Sequence, residues 1–297
     1  MGEARWLTVR AAGGRDLEVL IDGPDGGTVL LFHNGTPTAA VRNPQVVNPA
    51  ARRGMRTVTY SRPGYAASTP HHGRSIADGA QDAEAILDAL HADHFVTLGW
   101  SGGGPHALAC AALLPERCAA AATIAGVAPY GAAALHWLAG MGPENIAEFG
   151  AAIVGEDRLV PYLDREAAPL RAVTGTDVAA ALGGLLSEVD KNALTGDSAA
   201  VLAETFRRAV SGGIAGWRDD DLAFTRPWGF ELKSIRVPVA IWHGAQDRMV
   251  PFAHGRWLAA NIPGAQPRLL DDEGHISVLN HIDRILEDLV ELGTEHL

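Results

Sequence analysis

Apolar and polar residues alternate along "RWLTVR" and "DLEVLI", two runs flanking the turn-like "AAGGR", and this period of two predicts an antiparallel hairpin at a sheet edge. Downstream the pattern changes. "TVLLF" (28–32), "RTVTY" (56–60), "FVTLG" (95–99), "AAATIAG" (120–126), "VPVAIWHG" (237–244) and "QPRLLD" (266–271) are short apolar runs of the kind buried on both faces. Helical periodicity lies between several of them. "IADGAQDAEAILDALHA" sets Ile76, Ala80, Ala83, Ile86, Leu87 and Leu90 on one stripe with carboxylates opposite, and "PHALACAALLPE" and "FAHGRWLAANIP" are shorter versions. Strands alternating with helices predict the α/β class, a mostly parallel central sheet with helices on both faces.

The alternation stops at about Tyr130. From there to Lys233 no strand pattern occurs, only Gly and Pro punctuation and helix-like stretches such as "SAAVLAETFRRAV" (198–210). About a hundred strandless residues between two strands of one sheet predict an inserted helical cap, or lid, over the C-terminal edge of the sheet. The expected division is a core domain of residues 1–129 and 234–297 and a cap of residues 130–233.

Composition narrows the function classes. The formal charge of -11 and the scattering of the 24 Lys and Arg leave no concentrated basic surface, which argues against a nucleic-acid partner. The run Asp219-Asp220-Asp221 reads as a solvated face or loop rather than a metal cage. Cys110 and Cys118 sit in no CxxC or Cys/His cluster and read as buried free thiols of a reducing compartment. The first twenty residues mix charges with apolar positions and lack the apolar centre of a signal peptide, so a cytoplasmic location is expected. Residues 118–143 carry no Asp, Glu, Lys or Arg, yet they are mostly Ala and Gly and are broken by "APYG", which fits a core strand, a loop and a helix better than a membrane span.

Chemistry concentrates at "FVTLGWSGGGPHALAC", where Ser101 stands between small residues, after a strand and before a helix. A phosphate-binding loop fits poorly, because the G-x-G-x-x-G spacing fails and no Lys completes a Walker loop. Gly99-Trp100-Ser101-Gly102-Gly103 instead meets G-x-S-x-G in the strand-to-helix context that gives the pattern its meaning: a serine on a strained turn tolerates only small neighbours. The following helix, with Pro105 in its first turn, aims its positive end at the serine oxygen and at any oxyanion beside it.

A serine hydroxyl needs a base, and the base needs an orienting group. Among twelve histidines, His71 and His72 sit in a loop, His91 and His94 end a helix, His106 lies on a helix, and His281 and His296 fall in the last helix or tail. His275 follows the last strand in "RLLDDEGHISVL", where a base reaches across the top of the sheet, and Asp247 in "AIWHGAQDRMVP" lies on a loop after the preceding strand. Singly, Asp247 is as readily a helix cap near Pro251 and His275 a loop histidine. Their order, Ser then Asp then His on three strand C-termini of one sheet, favours a catalytic triad.

With these residues in place the chain resembles the α/β-hydrolase superfamily over nearly its whole length, through "GWSGG", "HGAQDRMVP", "EGHISVL" and the Arg-Pro-Gly turn of "SRPGYAAS" (61–68). The loop "FHNGTP" is similar to the family's His-Gly-x-Pro oxyanion loop with Asn34 in place of the usual histidine, leaving His33 as a substitute support. The resemblance implies an oxyanion hole formed by the backbone N–H groups of Thr36 and Gly102.

The activity implied is hydrolysis of a carboxylic ester or lactone of a small molecule through an acyl-enzyme. The runner-up is a proline-iminopeptidase-like aminopeptidase, for which Glu188, Asp190 and Glu204 are the cap acids available to hold an amine; carbon–carbon bond hydrolysis and cofactor-free perhydrolysis use the same triad. A non-catalytic ligand receptor is the alternative of another class. The aromatic residues Trp137, Phe149, Tyr162, Phe206, Trp217, Phe224 and Trp228 either line an apolar pocket or form the packing core of the cap. No metal or organic cofactor is indicated. The expected partner is a small acyl substrate, not nucleic acid or a membrane, and dimerisation through the cap or an edge strand is left undecided.

Overall fold

The computed structural model describes residues 4–294, so the tail histidine His296 lies outside the described residues. The predicted hairpin forms from β1 (Arg5–Arg10) and β2 (Asp16–Asp22), paired antiparallel. It joins β3 (Thr28–His33), β4 (Met55–Tyr60), β5 (Phe95–Trp100), β6 (Cys118–Ile124), β7 (Val239–Gly244) and β8 (Gln266–Leu270) in one eight-stranded sheet of order β1-β2-β4-β3-β5-β6-β7-β8. From β4 to β8 every pairing is parallel.

Alternate strand residues feed two cores. Val29, Leu31, Val58, Phe95 and Ile241 face one side, where α2 (Asp78–Ala89), α3 (Gly104–Leu113) and α10 (Phe252–Asn261) pack. Leu30, Phe32, Val96, Leu98 and Trp242 face the other, against α1 (Pro44–Arg52) and α11 (Ile282–Gly293). Double coverage is why these strands read as continuous apolar runs. β8 departs from that expectation: as the edge strand it is half exposed, and its apolar residues cover only the flank of the core.

Between β6 and β7 the described chain holds no strand. It forms α4 (Pro143–Val154), α5 (Glu156–Leu170), α6 (Val178–Leu182), α7 (Glu188–Ala193), α8 (Gly196–Ala209) and α9 (Ala215–Phe224). These helices have a core of their own, with Leu159 and Leu163 of α5, Leu202 and Phe206 of α8 and Trp217 of α9, which continues onto Ala39, Tyr65 and Ile276 of the sheet domain. The apolar segment after Cys118 resolves into β6, turns and then α4, and among the described residues no helix is long and apolar enough to cross a membrane.

Candidate active site

β5 ends at Trp100, and Ser101 follows with φ 54°, a left-handed conformation that costs a non-glycine residue on the order of 1–3 kcal/mol. Close packing holds it there. A Cβ on Gly99 would lie 2.2 Å from the Gly103 carbonyl oxygen, and one on Gly103 would lie 2.0 Å from the His33 carbonyl oxygen, so neither position accepts a side chain. Gly104, which the serine motif leaves unaccounted for, has a packing role: its Cβ would stand 2.9 Å from Gly126 Cα, where α3 crosses the loop after β6. Ser101–Gly103 form a 3-10 turn running into α3 with Pro105 in the first turn, so free N–H groups and the positive helix end meet the serine.

Asp247 does not cap α10, whose N-cap is Pro251 without a side-chain bond. Its Oδ1 accepts the backbone N–H groups of Met249 and Val250, both at 2.8 Å, and its Oδ2 accepts Nδ1–H of His275 at 2.8 Å. The buried His243 ring on β7 stands 3.4 Å from the same Oδ2. Burial alone would raise the Asp247 pKa, but the charge of His275 and hydrogen bonds from His243 and His275 outweigh it and hold the carboxyl at about 2. For His275, burial disfavours the charged ring, and the Asp247 charge and hydrogen bond and the Asp190 charge together push its pKa above the ordinary value. With Nδ1 committed to Asp247, Nε2 is the free ring nitrogen.

Ser101, His275, Thr36 and Gly102 all line one cavity of about 160 Å³ between the C-terminal edge of the sheet and the inserted helices. The predicted nucleophile, base and oxyanion residues are thus brought to one surface, with Asp247 buried behind the histidine. Of the seven aromatic residues, Phe149, Tyr162, Phe206, Trp217 and Phe224 reach this cavity. Trp137 packs edge-on against Phe149 with centroids 4.9 Å apart, and Trp228 packs beside Phe230.

The acids named for an amine lie elsewhere. Glu188 pairs with Lys191 at 2.6 Å in solvent, Glu204 pairs with Arg207, and Asp190 sits beneath the His275 loop. Glu144, Glu148 and Glu166 line the cavity instead, and among the described lining residues there is no Lys or Arg. Glu148 accepts Trp217 Nε1–H at 2.9 Å, and burial, reduced by hydrogen bonds to Trp217 and Asp221, pushes its carboxyl up to about 7. Asp221 beside it is raised well above the usual range by burial and by the charges of Glu148 and Asp220.

Two further corrections concern charge. Asp219, Asp220 and Asp221 are not a solvated face: all three are buried on α9. Asp220 accepts from Arg62 at 2.5 Å, Arg74 at 2.6 Å, Thr36 Oγ1 at 2.7 Å and Tyr65 at 2.9 Å. Nor does His33 support the loop around Asn34; burial, with a smaller effect of Arg62, keeps it neutral with a pKa of about 3, and its Nε2 faces Cys110. Arg62 of the Arg-Pro-Gly turn does that work, donating to the carbonyl oxygens of Asn34 at 2.5 Å and Gly35 at 2.6 Å and to Thr36 Oγ1 at 2.9 Å. Asn34 adds a bond from Nδ2 to Thr59 Oγ1 at 2.8 Å.

Comparison with known proteins agrees with this architecture. The family described as the alpha/beta hydrolase fold matches residues 28–282. A pimeloyl-[acyl-carrier protein] methyl ester esterase of Aromatoleum aromaticum is 30% identical over 258 residues, covering 83% of this chain and 93% of that protein. A non-heme chloroperoxidase of Streptomyces lividans is 29% identical, covering 83% of this chain and 84% of its own. The solved enol-lactonase of Burkholderia xenovorans LB400 superposes with a TM-score of 0.68 at 20% identity, over 98% of this chain and 100% of its own. The match over most of the length, on a mostly parallel sheet with helices on both faces and a strained serine turn after β5, makes this chain a member of the alpha/beta hydrolase fold family.

Proposed function

We propose that this protein is a serine hydrolase that cleaves a carboxylic ester or lactone of a small molecule through an acyl-enzyme. The observation that carries this reading is the strained Ser101 sharing a cavity with His275, whose Nδ1 is bonded at 2.8 Å to a buried, ionised Asp247. In this mechanism His275 Nε2 removes the Ser101 proton as Oγ attacks the carbonyl carbon, and the N–H groups of Thr36 and Gly102 receive the developing oxyanion. The imidazolium then protonates the leaving oxygen, and water deprotonated by His275 releases the acid. The helices of residues 130–233 serve as the cap that encloses the substrate.

The lining supports a substrate class. Aromatic walls suit an apolar acyl or alcohol portion, and Glu144, Glu148 and Glu166 on a wall that carries no Lys or Arg favour an uncharged or cationic substrate over an anionic one. The same three acids favour, as a second reading, cleavage of an amide or ester next to a free amine. The relatives named as esterases support the first.

Labelling with a fluorescent organophosphonate and turnover of short-chain p-nitrophenyl esters, lactones and proline β-naphthylamide test these readings. The wild-type protein is expected to be labelled and to turn over esters steadily, and Ser101→Ala to do neither. Full labelling of Ser101→Ala removes the nucleophile assignment, and β-naphthylamide turnover exceeding that of the esters selects the second reading.

A further inference from the structure

Asp190 of α7 is fully buried, and its carboxylate is spent on the loop that carries His275. Oδ2 accepts the N–H of His275 at 3.1 Å, and Oδ1 accepts those of Ile276 at 2.7 Å and Ser277 at 3.0 Å. Ser187 Oγ–H adds a fourth bond, to Oδ2 at 2.7 Å. The three backbone donors belong to the entry of the 3-10 turn Ser277–His281, whose first N–H groups have no partner within the turn. Asp190 therefore supplies, from the inserted helices, the cap that a local Asp or Ser ordinarily provides. Gly274 makes room for it: a Cβ there would lie 2.4 Å to 2.6 Å from the atoms of the carboxylate group.

His275 is consequently held at three points. Asp247 fixes its ring, Asp190 fixes its N–H, and Trp100 Nε1–H donates to its carbonyl oxygen at 3.2 Å. Asp190 is not part of the cavity wall and does not meet substrate.

We propose that Asp190 is a positioning residue for the reaction, an acid of the inserted helices that sets the backbone of the catalytic histidine and so makes assembly of the base depend on docking of α7. The proposal rests on the reading of His275 as general base. Its consequence is a loss at the chemical step rather than in binding, because a displacement of about 1 Å in a reacting group costs on the order of 10²-fold in rate. A second consequence is electrostatic. The titratable groups acting on His275 are Asp247 after β7 and Asp190 in α7, with His243 on β7 reaching it through Asp247. Neutralising Asp190 withdraws one of the negative charges that favour the imidazolium.

Steady-state kinetics of Asp190→Asn and Asp190→Ala with a short-chain p-nitrophenyl ester, across the full pH profile, test this. Expected are a fall in kcat on the order of 10²-fold with KM changed by less than about twofold, and an acid limb of kcat/KM displaced to lower pH. Wild-type kcat and an unmoved acid limb in both variants overturn the proposal, as does a raised KM at unchanged kcat. Should both variants fail to fold, Gly274→Ala carries the test: its methyl group displaces the carboxylate without touching substrate, and unchanged kcat there overturns the proposal. Absence of Ser101-dependent turnover in the wild-type protein removes the hydrolase reading itself, whereas normal wild-type turnover with an unaffected Asp190→Asn removes the positioning role alone.

Discussion

Arg62 and Asp220, 158 residues apart in the chain, form a buried ion pair that ties the loop of Thr36 to helix α9. Asp220 receives Arg74 as well, so one carboxylate balances two buried guanidinium groups. Asp220→Asn is expected to destabilise the protein by about 3–5 kcal/mol, since both cations are then left without a counter-charge. Turnover should fall with it, because Arg62 holds the carbonyls of Asn34 and Gly35. The pH dependence has a definite sign. Burial opposes ionisation of Asp220, but the charges of Arg62 and Arg74 prevail and hold its carboxyl well below the usual range. Its stabilisation is complete above the ordinary carboxylate pKa of about 4 and is lost as pH falls toward the folded value. Urea unfolding midpoints of the two proteins should therefore converge in acid.

The acid limb of kcat/KM is expected to have its midpoint above 6.5, because the base acts as neutral imidazole and His275 is shifted upward from that value. Asp247, at about 2, stays ionised throughout and adds no second limb. Asp247→Asn should lower kcat by about 10⁴-fold, through loss of the tautomer that leaves Nε2 free, and should move the limb to lower pH. A pH–rate profile of both proteins checks each part.

Much of this site is legible in the chain because it depends on local chemistry. Gly99 and Gly103 are demanded by a turn five residues long, and Asp247 and His275 announce themselves by following strands. The supports are not legible in the same way. Asp220 sits within three consecutive acids, a pattern that ordinarily means solvent, and its burial depends on Arg62 and Arg74 arriving from a distant loop. Asp190 reads as one cap carboxylate among several, and only the fold brings it to His275 across 85 residues. The strand β8 is likewise apolar in sequence and half exposed in fact, because edge position is a property of topology and not of the segment.

Gly103→Ala is expected to abolish phosphonate labelling of Ser101, since the new methyl group would meet the His33 carbonyl oxygen at 2.0 Å and drive the start of α3 away from β3. Gly102→Ala should be milder. Its methyl group meets Thr36 Oγ1 at 2.6 Å and Phe224 Cζ at 2.8 Å, both side-chain atoms, so the fold survives while the proposed oxyanion site is crowded. Labelling rate and thermal midpoint, measured together, separate the two effects.

Glu148→Gln tests the acid wall of the cavity. The folded protein holds a proton on Glu148 up to about 7, whereas an unfolded glutamate releases it near 4.5, so folding binds more protons between those values and stability falls as pH rises through them. Glutamine removes that dependence while its oxygen still accepts Trp217 Nε1–H. The variant should therefore gain on the order of 1–3 kcal/mol relative to wild type on going from about pH 5 to about pH 8, read as a divergence of thermal midpoints. With an amine-bearing ester, the wild-type KM should fall as pH rises through that range and the variant's should not. A difference in midpoint that is the same at both pH values would place the titrating proton on Asp221 instead, and the cation-binding role of Glu148 would go with it.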